Sequence, residues 1–419
     1  MHKGLKKIGL GLVAVGLSIV LLLTGAIPVC EAEPPGGKIK VGYRTAFTGT
    51  LATQANSFSA GGIDCAKYYN DYKGGINGIP IEIMWEDNHC ERLREISTHK
   101  RFKAAGAIAE VTFLCSTEVI AILQQKDEIP LVNIAGVAPG GTTGKPQWVF
   151  CGAPYWAQQQ ASSIRWIKEN WTESRPVRVG GIVYEDPAGT SSVEPMAEYC
   201  AKIGGVEWIG YEVVSFAGCI DTSTELLRLA AKKADWIIYL LFGSPIVTVC
   251  KDAYRLELQK KGINFIGCVQ TMDTTIARVA GADAVEGWYA WRATTVGYED
   301  LEGIIEMREA GKRYRGWEVE DVPPFYVPGW GGGRVLFEGL RLALEKVGID
   351  NLTGRAVRDG IGSMRDFDTK GILFNPVTIT DECPCIVRYL AVYQMQQGKT
   401  VRVSEPVLVI PADEVGLKW

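Results

Sequence analysis

From residue 39 onward, short apolar runs alternate with longer stretches whose apolar positions recur every three or four residues. Residues 39–43, 79–85, 107–113 and 129–136 have the length and β-branched content of buried strands. Residues 57–72, 91–105 and 117–127 carry the helical period between them. Gly74-Gly75 predicts the stop of the first helix, and Ser116 the amino-terminal cap of the third. The order βαβαβαβ predicts a parallel sheet with right-handed crossovers. After residues 148–150 the pattern restarts. Helices are expected at 157–170, 192–203, 222–233 and 246–260, and strands at 177–184, 206–214, 236–241 and 263–269.

A second complete alternation predicts a second α/β lobe. Beyond it, residues 289–295 read as extended, and 301–315 and 331–347 as helices. Pro323-Pro324 and a Pro328-Gly329 turn lead into the latter. Residues 386–394 and 401–409 form a hairpin pattern around Gln397-Gly398-Lys399. In parallel sheets, ligands sit at the carboxyl ends of strands. The segment 81–139 supplies three such ends, closing on Cys90, on Cys115-Ser116, and on the small residues around Gly136. Cys90 and Cys115 would then stand at neighbouring strand ends, where a disulfide is sterically reasonable.

The amino terminus follows another logic. Lys3, Lys6 and Lys7 precede an uncharged run over residues 8–29, with a small residue at Ala32. This reads as a secretory signal over residues 1–32. An uncleaved anchor, since the run is long enough to span a bilayer, and a lipid on Cys30 are the alternatives. Each places the body of the protein outside the cytoplasm, periplasmic or on the outer face of the membrane. The cysteine count of 11 suits that location. Cys200 with Cys219 and Cys250 with Cys268 are further, weaker pairings. A small hydrophobe in the core is the alternative for any of them.

Charge and motifs narrow the chemistry. The net charge of −4 argues against nucleic acid as a partner. No GxxxxGK[ST] or HExxH motif occurs, and no G-x-S-x-G elbow accompanies His2, His89 or His99. Trp330-Gly331-Gly332-Gly333 does not follow a strand, as a dinucleotide loop must. It reads as a tight helix entrance. No catalytic residue, metal site or cofactor is expected. Asp87, His89 and Cys90 are close in sequence, but strand alternation separates neighbours.

Several segments together resemble the type I periplasmic solute-binding proteins of the leucine/isoleucine/valine-binding branch. They are Lys38-Ile39-Lys40-Val41-Gly42 with Phe47-Thr48-Gly49, Gly74-Gly75-Ile76-Asn77-Gly78, Ile129-Pro130-Leu131-Val132, Gly371-Ile372-Leu373-Phe374, and Leu390 to Gln394 before Gly398-Lys399. The resemblance covers nearly all of the chain after the signal. It implies an α/β fold of two doubly wound, Rossmann-like lobes joined by a three-crossover hinge. Residues 38–153 with 287–364 would form the first lobe, and 154–286 with 365–419 the second. Closure of the lobes over a ligand follows, for which periplasmic binding proteins are a standard example. The implied partners are a small carboxylate ligand and a membrane ABC permease. The expected oligomeric state is a monomer.

The family's pocket residues carry over singly. They match Ser116 and the adjoining Thr117 at a helix amino terminus, where N–H groups favour an anion. Ala135, Gly136 and Val137 match its backbone segment, with Val137 lacking the usual hydroxyl. Phe242, Phe325, Trp330 and Phe47 would be aromatic walls. The family also carries a Cys90–Cys115 type disulfide. Two positions depart from its pattern. Ala188 stands where an aromatic is usual, and Gln270 occupies the region of the carboxylate that pairs a ligand ammonium. An ammonium buried without a charge partner is costly, so the expected ligand is a small carboxylate, a branched aliphatic or aromatic acid first and an amino acid otherwise. Asp273 and Glu118 are the carboxylates that would compensate. A ligand-sensing ectodomain and an α/β-fold enzyme are the competing functions.

Overall fold

Alternate residues of the first strand reach opposite layers of helices. In the computed structural model, which describes residues 37–49, 51–112, 117–133, 147–380 and 385–417, β1 (Ile39–Thr45) turns Tyr43 toward Gly62 of α1 (Ala52–Lys73). Gly42 faces Phe102 of α2 (Arg92–Ala104), and Arg44 faces Glu95 of the same helix. The period-2 alternation of a strand thus produces the doubly wound layering directly. β2 (Ile81–Asp87), β3 (Ala109–Thr112), β4 (Leu131–Asn133) and β5 (Val149–Cys151) complete the sheet, with α3 (Thr117–Asp127) between β3 and β4. The order is β2-β1-β3-β4-β5, parallel throughout.

The second sheet repeats that order. α4 (Trp156–Glu169) leads into β6 (Val177–Tyr184), β7 (Val206–Val214), β8 (Trp236–Leu240), β9 (Asn264–Gly267) and β10 (Tyr289–Arg292). The order is β7-β6-β8-β9-β10, extended by antiparallel β11 (Tyr389–Gln396) and β12 (Lys399–Arg402). The short β13 (Val407–Leu408) pairs with β11. The expected hairpin is present. Its turn residues Gln397 and Gly398 take φ of 52° and 74°, the left-handed pair that a two-residue turn between twisted strands requires.

Helices α5 (Pro187–Val193), α6 (Met196–Ile203), α7 (Ser223–Ala231), α8 (Gly243–Arg255), α9 (Thr274–Ala280) and α10 (Ala282–Val285) connect this lobe. The single helix expected over 192–203 is two, separated at Pro195, which has no N–H to continue the first. The first-lobe segment expected from residue 287 begins later, because β10 hydrogen-bonds into the second sheet. Cys200, Cys219, Cys250 and Cys268 are all free thiols, so neither weaker disulfide pairing exists. Three of them serve as small core hydrophobes. Burial pushes the Cys200 thiol up to about 12.

The chain then returns to the first lobe. α11 (Glu302–Arg315), α12 (Tyr326–Val347) and α13 (Gly354–Gly362) pack there, α12 directly along α1. The predicted turn at Pro328-Gly329 is instead the first turn of α12. Pro328 is tolerated because the first helical N–H groups lack intrahelical partners anyway. Gly329 is needed because a Cβ there would collide with the Phe58 carbonyl oxygen, and one on Gly61 with the Tyr326 carbonyl. Gly333 lies 3.1 Å from Cys65 by the same measure. The crossing segments run side by side. Ile386 N–H donates to Cys151 O at 2.7 Å, and Thr295 N–H to Ile372 O at 3.1 Å. Among the described residues, no helix is long and apolar enough to cross a membrane. The amino-terminal apolar run lies outside them.

Behind the first sheet is a buried charged cluster. Arg44 stands 3.5 Å from Glu95 and 3.2 Å from Glu110, all three fully buried. His99 bridges Glu110 at 2.9 Å and Asp127 at 3.0 Å. Burial raises the Glu95 carboxyl to about 7 against the pull of Arg44, with Glu110 adding to the rise. Burial would also raise Glu110, but Arg44 and His99 together hold it below its usual range.

The helix interface predicts that Gly329→Ala destabilises the protein by about 1–3 kcal/mol, because backbone atoms must move. Gly362→Ala, where a Cβ meets open space, should be neutral or stabilising; urea midpoints of both variants check this. Glu95 predicts a pH effect. Its folded pKa exceeds its ordinary value of 4.5, so the folded state holds the proton more tightly. The associated stability is fully present below about pH 4.5 and is lost as pH rises to about 7, on the order of 3 kcal/mol at most. Glu95→Gln should therefore be less pH-sensitive than the native chain in urea unfolding between pH 5 and pH 7.5.

Candidate functional site

The carboxyl ends of both sheets open onto one cleft. Its volume is about 520 Å³, within the range of small-molecule sites. Leu51, Cys90 and Arg92 line it from the first lobe, after the ends of β1 and β2. Tyr184, Asp186 to Ala188, Phe216, Leu240 and Phe242 line it from the ends of β6, β7 and β8, and Trp156 from the start of α4.

The second-lobe wall is aromatic. Tyr184 and Phe216 meet edge-on with centroids 5.0 Å apart, and Trp156 and Phe242 at 5.9 Å. The Tyr184 hydroxyl is engaged within the protein. It donates to Phe242 O at 2.7 Å and accepts from the Phe242 N–H. Burial raises its pKa far above the ordinary tyrosine value. Tyr184 therefore offers a ring rather than a hydroxyl to the cleft.

The first-lobe side carries charge. Arg92 is exposed, is the first residue of α2, and forms no ion pair with any described residue. A cation at a helix amino terminus is unfavourable by about 0.3–1 kcal/mol. An anion bound there would meet both the guanidinium and the N–H groups of the first helical turn. The opposite charge on the second lobe is Asp186. One of its oxygens accepts from Gly189 N–H at 2.8 Å and caps α5.

The structure places the expected residues as follows. Ala188 and Phe242 line the cleft, as does Cys90. Cys90 is disulfide-bonded, while Cys115 lies outside the described residues. So do Ser116, Ala135, Gly136 and Val137. Thr117 begins α3, its side chain not described. The other four aromatic and polar candidates are not among the described lining residues. Phe47 packs edge-on against Trp85 at 5.1 Å. Trp330 is fully buried between α1 and α12, with Tyr68 at 5.5 Å. Phe325 is buried at the cap of α12. Gln270 is buried beside β10, its N–H donating to Trp291 O at 2.9 Å and its side-chain nitrogen without a partner.

Asp273 is not among the described residues that line the cleft. It is 1% exposed and caps α9, accepting from Thr275 N–H at 2.7 Å and Ile276 N–H at 3.1 Å. Sequence reasoning missed Arg92, Trp156, Tyr184, Asp186 and Phe216. Three of the five, Tyr184, Asp186 and Phe216, lie within two residues of a strand's carboxyl end, a signal that the sequence reading drew on for the first lobe. Among the described residues no group of three or more His, Cys, Asp or Glu side chains could hold a metal.

Residues 38–400 match the model of the periplasmic binding protein family. Over 248 residues the chain is 21% identical to the Leu/Ile/Val-binding protein of Escherichia coli K12, 59% of this chain and 65% of that protein. The match thus spans just under two thirds of this relative's length. In fold, the chain is similar to a branched-chain amino acid ABC transporter protein from Thermus thermophilus, solved with bound valine. The TM-score is 0.78 at 19% identity, covering 90% of this chain and 98% of that one. It is also similar to a solute-binding protein of an ABC transporter from Rhodopseudomonas palustris in complex with 4-hydroxybenzoate. There the TM-score is 0.74 at 16% identity, covering 89% and 98%. A fatty acid ABC transporter substrate-binding protein from Thermomonospora curvata gives 0.76 at 17% identity, covering 91% and 95%. Two lobes of repeated strand order, facing strand ends and the match over residues 38–400 agree: the chain belongs to the type I periplasmic binding protein family.

Proposed function

We propose that the protein is an extracytoplasmic solute-binding protein that captures a small carboxylate with an aromatic or branched aliphatic body and delivers it to an ABC-type permease. One observation carries this reading: Arg92 on the first lobe, which forms no ion pair with any described residue, opposes a wall of four aromatic rings on the second. A guanidinium holds a carboxylate, and the rings bury the apolar remainder. The wall's tyrosine hydroxyl is already satisfied, so the wall favours apolar surface. Binding without turnover is the activity expected.

Ser116 and Thr117 at the start of α3, and the backbone of Ala135, Gly136 and Val137, are proposed as further contacts on the family's pattern. A Cys90–Cys115 disulfide is proposed to brace that side of the cleft. The bonded state of Cys90 supports it. Secretion, with residues 1–32 as the signal, belongs to the same reading.

A second reading, an α-amino acid with a large apolar side chain, is favoured by Asp186, whose second carboxylate oxygen is free to meet an ammonium from the opposite lobe. Matched ligands separate the two. Calorimetry with 4-methylpentanoate against leucine, and with 3-phenylpropanoate against phenylalanine, should show the acids binding and the amino acids binding more weakly. The reverse order would move the assignment to Asp186. Arg92→Ala should weaken binding of the acids by about 10- to 100-fold, the strength of a charge-assisted contact. Ser116→Ala should weaken it without lowering the melting temperature of the free protein, as thermal-shift measurements would show.

A further inference from the structure

The link between β2 and α2 brings the cleft's first-lobe wall and the buried charged cluster onto one short stretch of chain. Residues 88–91 turn from strand to helix, and both His89 and Cys90 adopt left-handed φ, 55° and 60°. Each such non-glycine conformation costs about 1–2 kcal/mol, so the turn must be held from outside. Asn88, fully buried, does this with both ends of its amide and both backbone groups. Its N–H donates to Thr45 O at 2.8 Å, and its carbonyl accepts from Glu91 N–H at 2.9 Å. Its side-chain oxygen accepts from Cys90 N–H at 3.0 Å, and its side-chain nitrogen donates to Glu95 Oε1 at 2.7 Å. Cys90 and Arg92, on either side of Glu91, both line the cleft.

We propose that Glu95, acting through Asn88, is a positioning residue for the first-lobe wall of the cleft, and that its charge state sets how firmly Cys90 and Arg92 are held. The proposal rests on the reading of this cleft as the ligand site. Arg44 from β1 and Glu110 from β3 face Glu95, and His99 follows one turn along α2. Asp127 and Gln124 of α3 close the cluster behind Glu110 and His99, and Lys103 reaches Asp127 at 2.6 Å. Arg44, His99 and Lys103 are the basic groups that meet the carboxylates of Glu95, Glu110 and Asp127. Burial raises the Glu95 carboxyl to about 7, so Glu95 takes up a proton at mildly acid pH.

As a carboxylate, Glu95 accepts a charge-assisted bond from Asn88. As a neutral acid it accepts an ordinary one, weaker by an amount corresponding to about 5-fold in the opening equilibrium of the turn. The wall is thus firmer above the transition and looser below it.

Hydrogen–deuterium exchange of the full chain tests this without any ligand. After correction for intrinsic rates, the amides of Cys90 and Glu91 should be about 5-fold better protected at pH 8 than at pH 6. Glu95→Gln should show the pH 6 level at both, and Asn88→Ala should lose protection at Cys90 at both. Amides of β6 and β8 should not respond in any variant. An unchanged pH step in Glu95→Gln, or no step in the native chain, overturns the proposal. If Glu95→Gln does not fold, retention of the step in Asn88→Ala does so instead. Arg92→Ala should keep the exchange step while losing affinity for 3-phenylpropanoate, so failure of the ligand reading and failure of the positioning role are seen separately.

Discussion

Helices α1 and α12 meet backbone to backbone, and much of the architecture follows from that contact. Gly61 and Gly329 leave room for the opposing carbonyl oxygens of Tyr326 and Phe58, and Gly333 sits against Cys65. The contact fastens a segment that follows the second sheet onto the helix that follows the first strand. The chain must therefore pass between the lobes repeatedly, and its passages lie side by side through Cys151 with Ile386 and Thr295 with Ile372. Glycine in a helix interior costs about 1 kcal/mol each relative to alanine. Here that cost is offset by burial along the whole inner face of α12.

Such a connection leaves both sheets with their carboxyl ends toward a shared cleft. The two walls divide the chemistry. The first lobe contributes the charge, at the start of α2, and the second contributes rings. The separation suits the proposed ligand, which has one charged end and an apolar body. The aromatic pairs also hold each other in place, so the wall is preformed rather than assembled around a ligand.

The buried cluster of Arg44, Glu95, Glu110 and His99 belongs to the same design. Burying several charges is weak support for stability. Its value lies in the directions it enforces, since α2, α3, β1 and β3 each contribute a partner. Through Asn88 it extends to the rim of the cleft.

Much of this was legible along the chain. Period-2 and period-3.6 patterns and glycine stops located most of the longer elements and missed the short helices α9, α10 and α13, because those signals depend on neighbours within a few residues. Ala188 and Phe242 were named through the family resemblance, and both line the cleft. What failed depended on contacts between distant segments. Pro328 and Gly329 look like a turn in sequence but form the first turn of α12, where Gly329 makes room for the Phe58 carbonyl. Trp330 and Phe325 look like pocket aromatics and are core because α12 rotates them toward α1 and the cap. Arg92 looks like an ordinary surface charge, and only the facing rings of Trp156, Tyr184, Phe216 and Phe242 make it a candidate anchor. The chain by itself determined the elements, their parallel order and the family, since these rest on local period and strand-end position. Tertiary structure decided which of the aromatics face the cleft and which charge opposes them, since that depends on how surfaces far apart in the sequence are brought together.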